Sequence, residues 1–404
     1  MPADGMLDAA AVADPYAYFG ALRSADPVHW NERYRAWVIT RYDDVSAALR
    51  DPRISSDRIT PLLNRWRARA DADPLFIETL EQLAGWMVFK DGDDHSRLRR
   101  LVYRAFTPRM VRSMQADIAA IADRLLDEMA AEPVVDLIRQ FAFPLPAIVI
   151  AGMLGVPPED RDLFKAWSDD ITALVFGGLD DAGRYERAAQ GMRNLVQYLS
   201  ALIAQYRTSP AENLVSALIR AREENDMLSE AEILSTCILL LFGGHETTTN
   251  LIGNGLLALL NHPDQRRLLD GNPGLVTSAI EEFLRFDGPA KSVVRIAKEP
   301  VTIRDRTIEP GARIYLVLAA ANRDPEAFDH PDELDITRDP NPHVGFGMGP
   351  HYCLGSALAR LEAAEAISRV LGRYPRLRLA TTDLAWHPVM LSRGLVKLPV
   401  VLDG

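Results

Sequence analysis

The sequence has little sulfur, no surplus of positive charge and no long apolar run. Cys237 and Cys353 are its only cysteines among 404 residues. So few thiols build no disulfide framework, so a reducing compartment, the cytoplasm, is expected, and either thiol is available as a ligand. Lys and Arg number 45 against 56 Asp and Glu, a formal charge of −11. A nucleic-acid surface spread over the whole molecule is therefore not expected. No stretch approaches the roughly 20 apolar residues of a membrane span. The opening MPADGMLDAAAVADPYAYFG has neither the basic nor the apolar region of a signal peptide. Repeats and low-complexity tracts are also lacking.

What is present is material for a large core, with 48% of residues hydrophobic. Short β-type runs occur at 28–30, 36–40, 293–297, 301–303, 313–318 and 395–402, bounded by Gly, Pro and Asp. Apolar residues at helical spacing mark 96–131, 159–176, 182–207 and 211–224. A longer helix opens on Ser229 and Glu232, an S-x-x-E capping box, and stops at Asn261-His262-Pro263. Others cover 274–286 and the segment between Cys353 and Pro375. The expected fold class is mainly α with small β-sheets (α+β). It is one domain over 1–404, its β portion assembled from both ends of the chain and its first 13 residues flexible.

The strongest chemical signal is Phe346-Gly347-Met348-Gly349-Pro350-His351-Tyr352-Cys353-Leu354-Gly355. Glycines let a backbone approach a flat ligand, and a helix N-terminus after the cysteine favours a thiolate. An inert buried cysteine is the bland alternative. A zinc site through His351 and Cys353 lacks a second ligand pair at zinc spacing. Gly347 and Gly349 lack the third glycine and preceding strand of a dinucleotide loop. Cys237, in an apolar helical run, reads as core.

The segment Phe346 to Gly355 resembles the haem-binding loop of the cytochrome P450 family, with every fixed position matched, and the resemblance extends over nearly the whole chain in its soluble bacterial style. It implies a long central helix over the haem, haem b (iron protoporphyrin IX) as cofactor and Cys353 as its metal ligand, with Phe346, Gly347, Gly349 and Gly355 shaping the loop. Inside the long helix, Gly243-Gly244-His245-Glu246-Thr247 combines poor helix formers with an acid and a hydroxyl. The Thr247 hydroxyl is placed to bond back to the Gly243 carbonyl and open a notch. By resemblance, Glu246 and Thr247 are the catalytic acid–alcohol pair for proton delivery; Gly243 stands where alanine is commoner. Glu282 and Arg285 resemble the family's E-x-x-R motif, with Arg338 as its later arginine. His95, Arg99, Arg295 and His351 match positions that bind the haem propionates. The pocket-lining positions fall on Val88, Phe89, Phe176, Leu240, Gly243, Lys291, Val293, Val294, Met390 and Leu391, and a small hydrophobic organic substrate is implied.

The implied activity is a monooxygenase inserting one oxygen atom from O2, with electrons from a ferredoxin or flavodoxin and its reductase. A peroxide-driven peroxygenase and a non-enzymatic haem sensor or carrier share the fold but do not need Glu246 and Thr247. Lys291 is a candidate for selecting an anionic substrate group; a lysine facing solvent or a propionate is the alternative. Arg97, Arg99, Arg100, Arg104, Arg109 and Arg112 occur between His95 and Ala116 with no acid among them. Together with Arg360 they are expected to form the docking face for the acidic electron donor.

Overall fold

The computed structural model describes residues 4–129, 134–177, 183–223 and 226–402. Helices dominate. The longest, Glu230–Asn261, runs through the interior, with most of its residues from Thr248 to Leu259 buried. Its capping box forms in both directions: Ser229 N–H donates to Glu232 Oε2 (2.8 Å) and Glu232 N–H to Ser229 Oγ (3.3 Å). Against it pack Pro144–Leu154, Arg184–Thr208, Val276–Phe286 and Ser356–Arg373.

The expected helix over 96–131 is three helices, Gly92–Ala105, Pro108–Ser113 and Gln115–Met129. Pro108 cannot continue the first, and the Thr107 side chain caps the second by accepting from Met110 N–H. Pro144–Leu154 was not foreseen. It buries residues on every side, from Leu145 to Leu154, so it carries no apolar period to read.

Five strands form one sheet in the order Val28–Asn31, Ala36–Ile39, Arg313–Leu316, Val293–Ala297, Ile54–Ser55. Trp37 lies parallel to Ile314, and Ile314 opposes Arg295. A second sheet joins Arg378–Leu379, Pro399–Val401 and Val134–Asp136. Of the run 395–402, only Pro399–Val401 is strand.

Of the segment 1–13, residues 4–13 pack against the body of the fold, and residues 1–3 lie outside the described ones. Met6 is 1% exposed and packs in a cluster with Phe19, Leu22 and Val38. Ala9–Ala13 is helical, and Arg393 donates to the carbonyls of Val12 and Ala13. Apolar burial and these bonds offset the entropy of ordering the chain end.

Candidate functional site

The cysteine loop is held from below by a helix bearing two adjacent glutamates. Glu281 accepts from Arg360 Nε (2.6 Å) and Nη2 (2.8 Å) and pairs with His343 Nε2 (3.0 Å). Burial opposes its ionisation, but Arg360 and His343 together bring the carboxyl down to about 2. Arg360 also lies over the Phe346 ring, 4.5 Å from its centroid. Glu282, next to it, takes Arg285 Nε (2.8 Å) and Nη2 (2.7 Å), the Asp335 amide (2.9 Å) and Asn341 Nδ2 (3.1 Å), with Arg338 Nε at 3.3 Å. Arg285 fills its remaining donors with the carbonyls of Asn322, Pro331 and Glu333. Glu282, Arg285 and Arg338 thus meet as the motif implied. Glu281, which grips the loop through Arg360, was missed, although an acid beside the motif was a readable signal.

Within the loop, Cys353 N–H donates to the Phe346 carbonyl (2.9 Å) and Gly347 N–H to the Val344 carbonyl (2.8 Å). Gly347 and Gly349 take φ of 71° and 70°, a region costly for other residues. A Cβ on Gly349 would also lie 3.1 Å from the Leu49 carbonyl. Cys353 is reached by solvent, yet enough protein surrounds it for desolvation to push the thiol up. The Gly355 and Ser356 amides, with Arg99 and Arg360, pull it back down. The thiol is thus reachable by solvent and flanked by groups that favour its ionised form. Cys237 is fully buried, and burial lifts its thiol to about 12, an inert core side chain.

The central helix carries the other candidate residues. Leu240, Gly243 and Thr247 share one face at i, i+3 and i+7 and are only partly covered, in contrast to the buried run beyond them. A Cβ on Gly243 would meet nothing within 4 Å, whereas one on Gly244 would meet Ile150 at 3.0 Å. The two glycines therefore differ in role: Gly244 admits a neighbouring helix, and Gly243 leaves room in the cleft. Thr247 Oγ1 donates to the Gly243 carbonyl (3.3 Å), and Thr248 Oγ1 to that of Gly244 (3.3 Å). The helix nevertheless runs unbroken over Glu230–Asn261. Glu246 accepts from Asn250 Nδ2 (3.4 Å), and Asn254 Nδ2 bonds the carbonyls of Asp287 and Arg393. Asn250 and Asn254 escaped the sequence reading, though polar residues at i+4 and i+8 from an acid in an apolar helix were a visible signal.

Cations converge beside this cleft. The His95 and His351 rings lie 4.1 Å apart. Burial, with His351 and Arg99 nearby, lowers His95 to about 4. Arg99 Nη2 donates to the Tyr352 carbonyl (2.7 Å). Arg295 is 9% exposed, its Nη1 bonds only its neighbour's carbonyl at Val294, and burial lowers it to about 10. The acid facing this group is Asp91, already engaged by Ser55, the Ser56 amide and His351. Burial opposes its charge, yet these bonds hold it well below the usual carboxylate range.

Several expectations change. Met390 is 0% exposed and Val294 is buried; both pack with Phe19 and Leu22. Alternation along the strand explains Val294, since Val293 shares its face with Arg295 and Val294 takes the opposite one. Leu391 lies in the same cluster, its N–H donating to the Phe176 carbonyl. Phe89 is buried, while Val88 is exposed. Lys291 is 3% exposed and faces neither solvent nor an acid; its Nζ donates to the Val389 carbonyl (2.6 Å). Burial and Arg393 bring it to about 7, so near neutral pH it is only partly charged. On the arginine face, Arg97 is taken up by Asp226 and Glu232, and Arg360 by Glu281. Arg100, Arg104, Arg109 and Arg112 are exposed.

Residues 54–269 and 274–383 match the family described as Cytochrome P450. The chain is 45% identical over 370 residues to Cytochrome P450 107B1 of Saccharopolyspora erythraea, covering 90% of this chain and 89% of the relative. It is 43% identical over 395 residues to a vitamin D(3) 25-hydroxylase of Pseudonocardia autotrophica, covering 96% and 94%. Among solved structures, P450BioI in complex with hexadec-9Z-enoic acid ligated acyl carrier protein superposes with a TM-score of 0.90 at 37% identity, covering 98% of this chain and 99% of that one. The chain belongs to the cytochrome P450 family, has its fold, and is a monooxygenase. The family's cofactor is a haem with a thiolate ligand, its substrates are hydrophobic and its electrons come from redox partners. The residues present fit that cofactor: an accessible thiol, room at Gly243, positive-φ glycines and the Arg99 and Arg295 guanidiniums, which form no ion pair among the described residues, suit a flat dianionic macrocycle. Among the described residues, no helix is long and apolar enough to cross a membrane.

Proposed function

We propose that Cys353 would hold haem b through its thiolate, that His95, Arg99, Arg295 and His351 would donate to its propionates, and that Glu246 and Thr247 would carry protons to the site. The observations that support this reading are the exposed thiol of Cys353 in its positive-φ glycine loop and the uncovered Gly243–Thr247 face of the central helix. When bound, the haem supplies the iron chemistry that activates dioxygen. The chain's own residues do the rest. The Phe346–Cys353 backbone bond fixes the thiol, and Arg99 and Arg360 favour its ionised form. Thr247 can turn its hydroxyl from the Gly243 carbonyl toward a ligand in the cleft, and Glu246 with Asn250 offers a proton source in an otherwise apolar wall.

The substrate is a small hydrophobic organic molecule, and the aromatic side chains of Phe89, Phe176 and Phe242 suit it. The electron donor is a separate ferredoxin or flavodoxin with its reductase, approaching the exposed face of Arg109 and Arg112. The protein works in the cytoplasm. The test is spectral and kinetic. Reduced protein under carbon monoxide shows the red-shifted thiolate band, and Cys353→His abolishes it. Thr247→Ala leaves oxygen and reductant consumption intact while product falls and peroxide rises. A band that survives Cys353→His, or coupling unchanged in Thr247→Ala, removes that residue from its role.

A further inference from the structure

Most guanidiniums sheltered from solvent in this fold face a carboxylate: Arg285 has Glu282, Arg323 has Asp332, Arg393 has Asp287 and Arg266 has Asp270. Arg58, half-buried, does not. Its Nη2 donates to the Val175 carbonyl (2.7 Å) at the end of the helix Arg161–Val175, and its guanidinium lies 5.0 Å from the centroid of the Phe89 ring. No ion pair or other hydrogen bond engages it among the described residues. The guanidiniums that act on it are Arg295 and Arg313, and burial with these cations lowers it to about 10, against a smaller opposing pull from Tyr315. A cation kept from water beside other cations is unfavourable unless an anion joins it.

The position of Arg58 says which anion. The propionate donors His95, Arg99 and His351 stand on the helix Gly92–Ala105 and on the cysteine loop. Arg58 adjoins the fourth of these donors, Arg295, but its own contacts run to Val175 and Phe89. Val175, its partner, precedes Phe176, whose ring stacks on Phe242 of the central helix at 5.2 Å. Phe89, under its guanidinium, stacks on Trp86 at 5.9 Å, and Trp86 meets Phe242 at 5.5 Å. Phe89, Trp86, Phe242 and Phe176 form one continuous aromatic wall, and Arg58 stands at its edge. Capping a helix C-terminus, the ordinary task of such an arginine, uses one N–H and part of the charge and leaves the rest of the guanidinium fork without a partner.

We infer that Arg58 is a carboxylate anchor: the substrate is an amphipathic organic acid whose apolar body lies along the aromatic wall and whose carboxylate is held by the guanidinium fork. One N–H stays on Val175 while the others reach the acid, the arrangement in which Arg binds carboxylate most strongly. This assignment of substrate class rests on the monooxygenase reading of the same cleft.

The test compares tetradecanoate with tetradecanol on the haem-loaded enzyme at a pH where the acid is ionised, following the shift in haem absorption. Wild type is expected to bind the acid about tenfold or more tightly than the alcohol, the size of a charge-assisted bond. Arg58→Gln, which keeps a donor for Val175, is expected to bind both equally with the alcohol's affinity unchanged. Arg58→Lys, which keeps the charge without the fork, retains part of the preference. The anchor is refuted by a preference that survives Arg58→Gln, by a wild type that prefers neither or binds neither, or by an Arg58→Gln protein that releases haem faster with its preference intact, which would make Arg58 a propionate partner. The carbon monoxide band and oxygen-dependent turnover of a neutral substrate are measured on wild type alongside. Their absence from wild type would remove the monooxygenase reading, independently of the acid preference.

Discussion

Two groups of buried charges stand on either side of the cysteine loop. Around Glu282, every charge has its opposite and every donor of Arg285 has an acceptor. Beside Arg295 stands Arg58, and the acid facing Arg295 is Asp91, already engaged by Ser55, the Ser56 amide and His351. The residue types are alike, but the first group is complete within the chain and the second is not. A self-satisfied cluster fixes geometry; a one-signed cluster is arranged for charge that arrives from outside. Burial alone therefore does not separate a structural ion pair from a binding site, and the count of partners does.

Substitutions can break this contrast or sharpen it. Glu282→Ala leaves Arg285 charged and unpaired in the interior, so the haem-loaded protein is expected to lose about 3–5 kcal/mol of stability in denaturant unfolding. Arg295→Leu removes a cation that has no protein carboxylate to abandon. Its cost to the stability of the haem-free chain is expected to stay below about 1 kcal/mol, whereas haem transfer to an acceptor globin should accelerate about tenfold or more, the loss of one charge-assisted contact. A large loss of apoprotein stability in Arg295→Leu would place it in the structural class with Arg285.

Glu362 supplies a third case, a carboxyl 0% exposed on the helix Ser356–Arg373 with neither oxygen bonded to a side chain or backbone of the structure. Burial raises its pKa well above the ordinary value. Above the unfolded-state pKa of about 4.3 the folded chain keeps a proton that the unfolded chain releases, so this group lowers stability as pH rises, by up to about 1.4 kcal/mol per unit. Glu362→Gln is expected to flatten that slope and raise the melting temperature at neutral and alkaline pH; a variant less stable than wild type at pH 8 would mean that the carboxyl has a partner. The smallest effect belongs to the surface. Arg109→Glu with Arg112→Glu should slow the first electron transfer from a ferredoxin several-fold at low salt, with the difference vanishing as ionic strength passes the physiological range and substrate affinity unmoved.

What the sequence revealed follows the same division. The cysteine loop, the capping box of the central helix and the Gly243–Thr247 segment are each contained in about ten residues, so their chemistry was legible. The grip of Glu281 on Arg360, the isolation of Arg58 and the burial of Met390 are tertiary facts: each depends on residues scores of positions away. Pro108 was a visible stop inside the presumed helix over 96–131 and should have divided it. Pro144–Leu154 could not be read from periodicity because its less covered side, Ala147, Ile148 and Gly152, is as apolar as its buried one.

The five-stranded sheet carries a consequence for how the protein comes into being. Ala36–Ile39 pairs on one side with Val28–Asn31, made moments earlier, but on the other with Arg313–Leu316, which leaves the ribosome only after the whole helical body has been synthesised. Until then the early hairpin has an open apolar edge, of the kind that recruits other chains. Pairings so distant in sequence also close slowly. Nascent chains arrested before Leu316 are thus the aggregation-prone species, and the yield of folded enzyme is set by how long that edge waits.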